Sequence, residues 1–239
     1  MIPQQQLSAM TENVAKIRET MAQAAREAGR DPSEILLCAA CKTRTVEEVT
    51  ASAALPIDLF GENHVQELVE KTDAGAYCGK PGHFIGHLQT NKVNKVVGRA
   101  ALIESVDSVR LLDKIEHAAA AAGLTQEILI EINIGEESSK SGVDVDGLWA
   151  LAESAMNRPH VRLRGLMAIP PATATPDETR AFFARMRELL TQARSRFGSE
   201  LDVLSMGMSG DYPLAIREGA TIVRIGTAIY GPRDYSAKA

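Results

Sequence analysis

Short apolar runs rich in Ile, Val and Leu recur along the chain at 35–42, 57–63, 83–88, 102–107, 127–134, 163–169, 203–209 and 221–231. Between them the apolar spacing changes from a period of two to that of a helix. Ser108 is placed to cap VRLLDKIEHAAAAAG, which closes on Gly123. Thr175 or Asp177 opens a long helix in which Phe182, Met186, Leu189 and Leu190 share a face. Thr45, with Glu48 three residues on, forms a capping-box pattern. Thr90 opens a short helix, and an extra helix over 7–29 precedes the first strand. The pattern predicts eight strands, each followed by a helix except the last. Runs that are apolar on both faces belong in a parallel sheet covered by helices. Eight such units in 239 residues predict an α/β fold, a single (β/α)8 TIM barrel spanning 1–239. A doubly wound open sheet is the rival arrangement, and the count of eight favours closure.

Composition narrows the function classes. Aromatic residues are 4% of the chain, so its core must be built from Ala, Val, Ile and Leu. A net charge of -5 leaves no basic footprint for nucleic acid. No apolar run is long enough to cross a bilayer, and the first ten residues lack the pattern of a signal peptide. Three cysteines argue against a disulfide framework and for a reducing cytoplasm. Cys38 and Cys41 form a C-x-x-C on a strand, where an offset of three points to opposite faces, so one metal cannot use both. His83 and His87 share a strand face, but no carboxylate or cysteine cluster completes a metal site.

A barrel carries its chemistry at the C-terminal ends of its strands. Lys42 ends the first strand; Glu62, Asn63 and His64 end the second; Glu131 and Asn133 lie on the fifth. The seventh strand runs through SMGMSG toward Asp211 and Pro213, a helix start. The eighth carries Arg224, Gly226 and Thr227. Small residues let a ligand approach backbone N–H groups, and the loops after strands seven and eight often hold a phosphate in barrels. The competing explanation is that these glycines relieve crowding at the rim. The loop 170–176, PPATATP, is either a lid or a plain surface loop.

Period-two alternation puts Leu36, Cys38, Ala40 and Lys42 on one face. If that face is the barrel interior, Lys42 points into the mouth above small residues that leave room for a planar ligand. A partly desolvated lysine has a lowered pKa and is a nucleophile toward an aldehyde. The alternative is a lysine that reaches the rim or pairs with Glu62. Arg224 faces the same side as Gly226 and needs an acceptor, either Glu131 or a ligand nitrogen or phosphate. Lys92 and Lys95 form either a solvated helix face or a basic rim for a partner or a second ligand.

Several stretches together resemble the family of pyridoxal-phosphate homeostasis proteins, the YggS-like family. They are AACKTRTVEEV, FGENHVQELVEK, HFIGHLQTNKVNKVV, IESVDS, INIGEESSKSGV, RGLMAIPP, LSMGMSGDYPLAIREGAT and VRIGTAIYG, and they cover nearly the whole chain. The resemblance implies a barrel like the alanine racemase N-terminal domain, without that enzyme's second domain. It puts a pyridoxal 5'-phosphate (PLP) aldimine on Lys42 and phosphate contacts on Ser209, Gly226 and Thr227. It puts Arg224 near the pyridine nitrogen and Asn63 near the cofactor. One departure is Gly82, where the family often has Trp, which bears on rim packing.

The function implied is binding, buffering and delivery of PLP without catalytic turnover, with PLP-dependent apoenzymes as recipients and a monomer in the cytoplasm. Arginine beside the pyridine nitrogen disfavours the protonated ring that makes a strong electron sink. A racemase needs an acid–base group on each face of the substrate carbon. Lys42 serves one, while Tyr212, Tyr230 and Tyr235 are candidates for the other only if they reach the mouth. A weak PLP-dependent racemase is the alternative, and a cofactor-free Schiff-base aldolase lies outside PLP chemistry.

Overall fold

A computed structural model describes residues 2–137 and 141–232. Eight strands close into a parallel barrel in chain order. They are β1 (Leu36–Ala40), β2 (Leu59–Glu62), β3 (Gly82–Phe84), β4 (Leu102–Val106), β5 (Gln126–Ile132), β6 (Val161–Ala168), β7 (Val203–Ser205) and β8 (Ile222–Ile225). β1 pairs with β8 through Cys38 and Arg224, which closes the ring. The helices are α1 (Gln4–Glu27), α2 (Val46–Ser52), α3 (Val65–Asp73), α4 (Val109–Ala122), α5 (Val145–Met156), α6 (Pro176–Phe197), α7 (Tyr212–Arg217) and α8 (Thr227–Tyr230). The eight-stranded barrel and the extra N-terminal helix are as expected, and the open-sheet rival is excluded.

The boundaries differ in instructive ways. A 3₁₀ helix over Thr90–Lys95 stands where the third helix of the outer layer was expected. The last strand stops at Ile225, and a one-turn helix follows it, so every strand has a helix after it. β1 ends at Ala40, two residues short of Lys42, because Cys41 donates its N–H to Gly61 O and the chain then turns through Thr43 at φ 66°. The caps behave as the sequence predicts. Thr45 and Thr175 both form full capping boxes, Ser108 caps α4, and Gly123 ends it in the left-handed conformation. On α6 the fully buried aromatic is Phe183, with Phe182 packed at its margin.

Two apolar layers follow from strand alternation. Cys38, Leu59, Leu102, Leu129, Met167 and Ile222 fill the barrel interior. Leu37, Ala39, Phe60, Ile103, Ile130 and Ile225 face outward under the helices. The C-x-x-C is therefore split as alternation requires, with Cys38 inside and Cys41 outside. Gly82 opens β3 at the end of the barrel away from the mouth. A Cβ there would lie 2.7 Å from the Tyr77 ring, which stacks on Phe60 with centroids 5.3 Å apart. Tyr77 thus occupies the space that a larger residue at position 82 would need. No helix among the described residues is long and apolar enough to cross a membrane.

Candidate functional site

At the C-terminal mouth a cavity of about 270 Å³ is lined by Lys42, Asn63, Ser209, Arg224, Gly226 and Thr227 together. All six residues singled out in the sequence converge there, from the ends of β1, β2 and β8 and the loop after β7. Ala40, Ile85, Ile169 and Met208 complete the apolar part of the wall, and Gly210 and Arg44 the rest. Alternation along β1 places Ala40 below Lys42 on the mouth side, so the floor is a methyl group.

The donors at one end suit an anion. Gly226 leads into α8, whose first amides have no acceptor within the helix. A Cβ on Gly226 would stand 2.9 Å from Ala40 O, so only glycine lets these strands approach so closely. Ser209 Oγ accepts from the Ala228 N–H at 3.3 Å, which ties the β7 loop to the start of α8. Asp211 stands at the N-cap of α7, as a helix start should, but its carboxylate makes no capping bond; it accepts from the Met208 N–H at 2.6 Å and shapes the same loop.

Arg224 is 4% exposed and held from below. Its guanidinium donates to Ser205 Oγ at 2.6 Å and to Ala168 O at 3.0 Å. Ser205 in turn donates to Glu104 Oε2 at 2.5 Å, and His83 Nδ1 meets Glu104 Oε1 at 2.7 Å. The expected partner Glu131 is thus replaced by Glu104, whose carboxylate is 3.9 Å from Arg224. Glu104 faces inward one layer below the mouth, where Ser205 can bridge. Burial pushes the Glu104 carboxyl up, but the His83 and Ser205 hydrogen bonds and the Arg224 charge hold it below the usual range. His83 is therefore a structural partner inside the barrel. His87 lies beyond the end of β3 at the surface, so the two histidines share no strand face. Among the described residues no group of three or more His, Cys, Asp or Glu can hold a metal.

The pairing of Glu62 with Lys42 is also overturned. Glu62 points outward, since it alternates with Gly61, whose Cβ position faces Cys38 inside the barrel. Its Oε1 accepts from Lys71 Nζ at 2.7 Å, Cys41 Sγ at 2.8 Å and the Tyr77 hydroxyl at 3.3 Å. Burial raises the Glu62 pKa, against the opposing Lys71 charge. Lys71 is 1% exposed and also donates to Cys41 O at 2.7 Å. Glu67 accepts from the Thr43 N–H at 2.9 Å. Two α3 side chains thus grip the backbone on either side of Lys42. Sequence reasoning missed this clamp, and also Arg44, whose guanidinium donates to Gly231 O at 2.8 Å and lies 5.4 Å from the Tyr230 ring centroid.

Tyr230 is buried against α2, with its hydroxyl 2.9 Å from Ser52 Oγ, and Tyr212 belongs to the outer core. Neither lines the mouth cavity. Tyr235 and the tail after Pro232 lie outside the described residues. Lys92 and Lys95 border a separate surface depression with Val65, Val69 and Arg99 that shares no lining residue with the mouth cavity.

The donor set fits PLP on the structure's own terms. One amine can meet an aldehyde, hydroxyls and amides can meet a phosphate, and a methyl floor with aliphatic walls can take a flat ring. Comparison with known proteins places the chain accordingly. Residues 5–234 match the family described as alanine racemase, N-terminal domain. The chain is 41% identical over 233 residues to the pyridoxal phosphate homeostasis protein of Pseudomonas aeruginosa, covering 98% of this chain and 100% of that protein. It is 39% identical over 224 residues to the protein of the same name from Aquifex aeolicus, covering 94% and 98%. PipY of Synechococcus elongatus, solved with PLP bound, superposes with a TM-score of 0.81 at 31% identity, covering 93% of this chain and 100% of that one. The chain therefore belongs to the alanine racemase N-terminal domain family and, within it, to the pyridoxal phosphate homeostasis proteins.

Proposed function

We propose that this protein, as one PLP-binding barrel domain over 1–239, binds, buffers and delivers PLP without catalytic turnover. The observation that carries the reading is the single cavity that joins Lys42 to Ser209, Gly226, Thr227 and Arg224. Lys42 would hold the cofactor through its amine, which suits the PLP aldehyde and would give a link that water or another amine can undo. Ser209, Thr227 and the Gly226 and Thr227 amides would hold its phosphate, and Asn63 would help to seat the rest of it. When bound, PLP supplies an electrophilic carbon and an electron sink. Arg224, fixed by Ser205 and Ala168, carries a permanent positive charge and disfavours a proton on the ring nitrogen. The placement of Tyr212 and Tyr230 in packed core supports a carrier over a weak racemase, which needs a second acid–base group at the reacting carbon.

The reading includes a monomer in the cytoplasm that passes PLP to apoenzymes. It is tested by adding PLP to the purified protein and recording the visible spectrum before and after free amino acid. A protein-bound absorption band that free amino acid removes, with no exchange of the amino acid Cα proton, is the expected result. Cα exchange at an enzyme-like rate would transfer the assignment to the racemase. A colourless protein that cleaves a sugar phosphate would transfer it to an aldolase.

A further inference from the structure

A second cavity of about 310 Å³ adjoins the first at the mouth and shares Asn63, Ile85 and Ile169 with it. Glu131 lines this second cavity from the end of β5, opposite β1 in the ring. The residue is 9% exposed, and among the described residues no hydrogen bond or ion pair engages its carboxylate. Its oxygens open onto the cavity, so a largely desolvated carboxylate with no protein partner is presented to whatever ligand enters. Asp107, just past β4, and Arg224 on β8 act on its charge, and the His87 ring lines the same cavity beyond β3. Arg224 is already engaged with Ser205 and Ala168, and Asp107 repels. Asn133 is occupied by both hydrogen bonds to Glu137. The aliphatic side chains of the wall are Ile85 and Ile169; Gly86 and Ser141, whose hydroxyl meets His87 Nδ1 at 3.1 Å, complete it, and the Ile132 side chain packs outward under the helices.

A negative end group beside aliphatic walls rejects anions and leaves a neutral ligand with an unanswered carboxylate. It matches a positive head on a hydrocarbon stem. We propose that the Glu131 cavity is a binding subsite for a primary ammonium group on an aliphatic stem, either a small free amine or a lysyl side chain. The ammonium donates to the Glu131 carboxylate, and Asn63 offers an amide oxygen. The stem lies against Ile85 and Ile169. Binding needs no cofactor; its use, presenting an amine to the group held at Lys42, rests on the function proposed above. Burial, then the charge of Asp107, raises the Glu131 pKa to about 7 against the pull of Arg224. The carboxylate therefore gains or loses its proton near neutral pH and can take one from an arriving ammonium.

Cofactor-free protein titrated with pentylammonium chloride and, separately, with Nα-acetyl-lysine methylamide tests this by calorimetry. With a carboxyl that titrates near 7, affinity is expected to be about tenfold tighter at pH 8 than at pH 6. Glu131→Gln is expected to abolish binding. Binding of pentylammonium alone identifies a small free amine, and binding of the lysyl compound identifies a protein side chain. Affinity that is flat with pH, or retained in Glu131→Gln, would overturn the subsite. Should that variant fold poorly, the carboxyl 13C titration of Glu131 in the unaltered protein decides. A midpoint that falls on adding pentylammonium supports the subsite, and one that stays fixed overturns it. PLP titration of the same preparation is read separately, so normal PLP binding without ammonium binding overturns only this inference.

Discussion

Lys71 Nζ donates to the carbonyl oxygen of Cys41 at 2.7 Å, one residue before Lys42. The same ammonium pairs with Glu62, which is fully buried. A helix on the outside of the barrel thus sets the backbone that carries the nucleophile inside it. Lys71→Met leaves the Glu62 carboxylate buried without its cation, and removing one partner of such a pair costs about 3–5 kcal/mol. A fall in melting temperature checks this. Adding Glu62→Gln to Lys71→Met is expected to recover much of the stability, while cofactor affinity stays reduced because Cys41 O remains unheld.

Glu104 plays the corresponding part beneath Arg224. Glu104→Gln leaves a buried guanidinium without a carboxylate, and the expected loss is about 3–5 kcal/mol at pH 7. Its pKa is depressed in the folded protein, so its contribution is present above about 4.5 and is lost as pH falls below that value. Acid unfolding of the unaltered protein should therefore steepen below pH 4.5, and in Glu104→Gln that steepening should shrink. Equal acid sensitivity in both proteins would contradict the role assigned to Glu104.

Glu131 has the opposite sign. Its folded pKa of about 7 lies above the ordinary 4.5, so the folded state is favoured by the protonated form. That contribution is complete below 4.5 and is lost as pH rises through 7. At 1.36 kcal/mol per pKa unit the full difference is about 3 kcal/mol. Glu131→Gln should gain up to that amount relative to the unaltered protein between pH 4.5 and pH 8, measured by denaturant titration at each pH.

At Gly226 an added methyl would press on Ala40 O at 2.9 Å, beside the amides assigned to the phosphate. Gly226→Ala should weaken PLP binding by at least about tenfold, roughly 1.4 kcal/mol. Fluorescence titration with PLP reads this. Inorganic phosphate should compete for the unaltered protein and compete less for the variant.

Much of this was legible in the chain because a period of two sorts residues to one side of a strand or the other. Leu37, Ala39 and Cys41 alternate with Cys38, Ala40 and Lys42, and although β1 ends at Ala40, Lys42 keeps to the side that this parity gives it and lines the mouth. Parity also contained the correction to Glu62. It alternates with Gly61 on β2, and an inward Gly61 requires an outward Glu62. Lys71 was not legible, because a buried lysine on an amphipathic helix looks like any other basic residue in a last turn. Its partners lie 30 and 9 residues away and meet only when α3 docks. The same holds for the chain of Arg224, Ser205, Glu104 and His83, which draws one residue from each of four strands. The ends of β1 and β8 were set too long for a related reason. Thr43 and Gly226 turn the backbone away from the sheet to build the site, and an apolar run carries no record of that turn.

Borohydride reduction of the PLP-loaded protein followed by peptide mass mapping tests directly whether Lys42 holds the cofactor. One reduced pyridoxyl adduct is expected on the peptide that contains Lys42, and it should be lost in Lys42→Ala. An adduct on a different lysine, with the Lys42 peptide unmodified, would contradict that assignment.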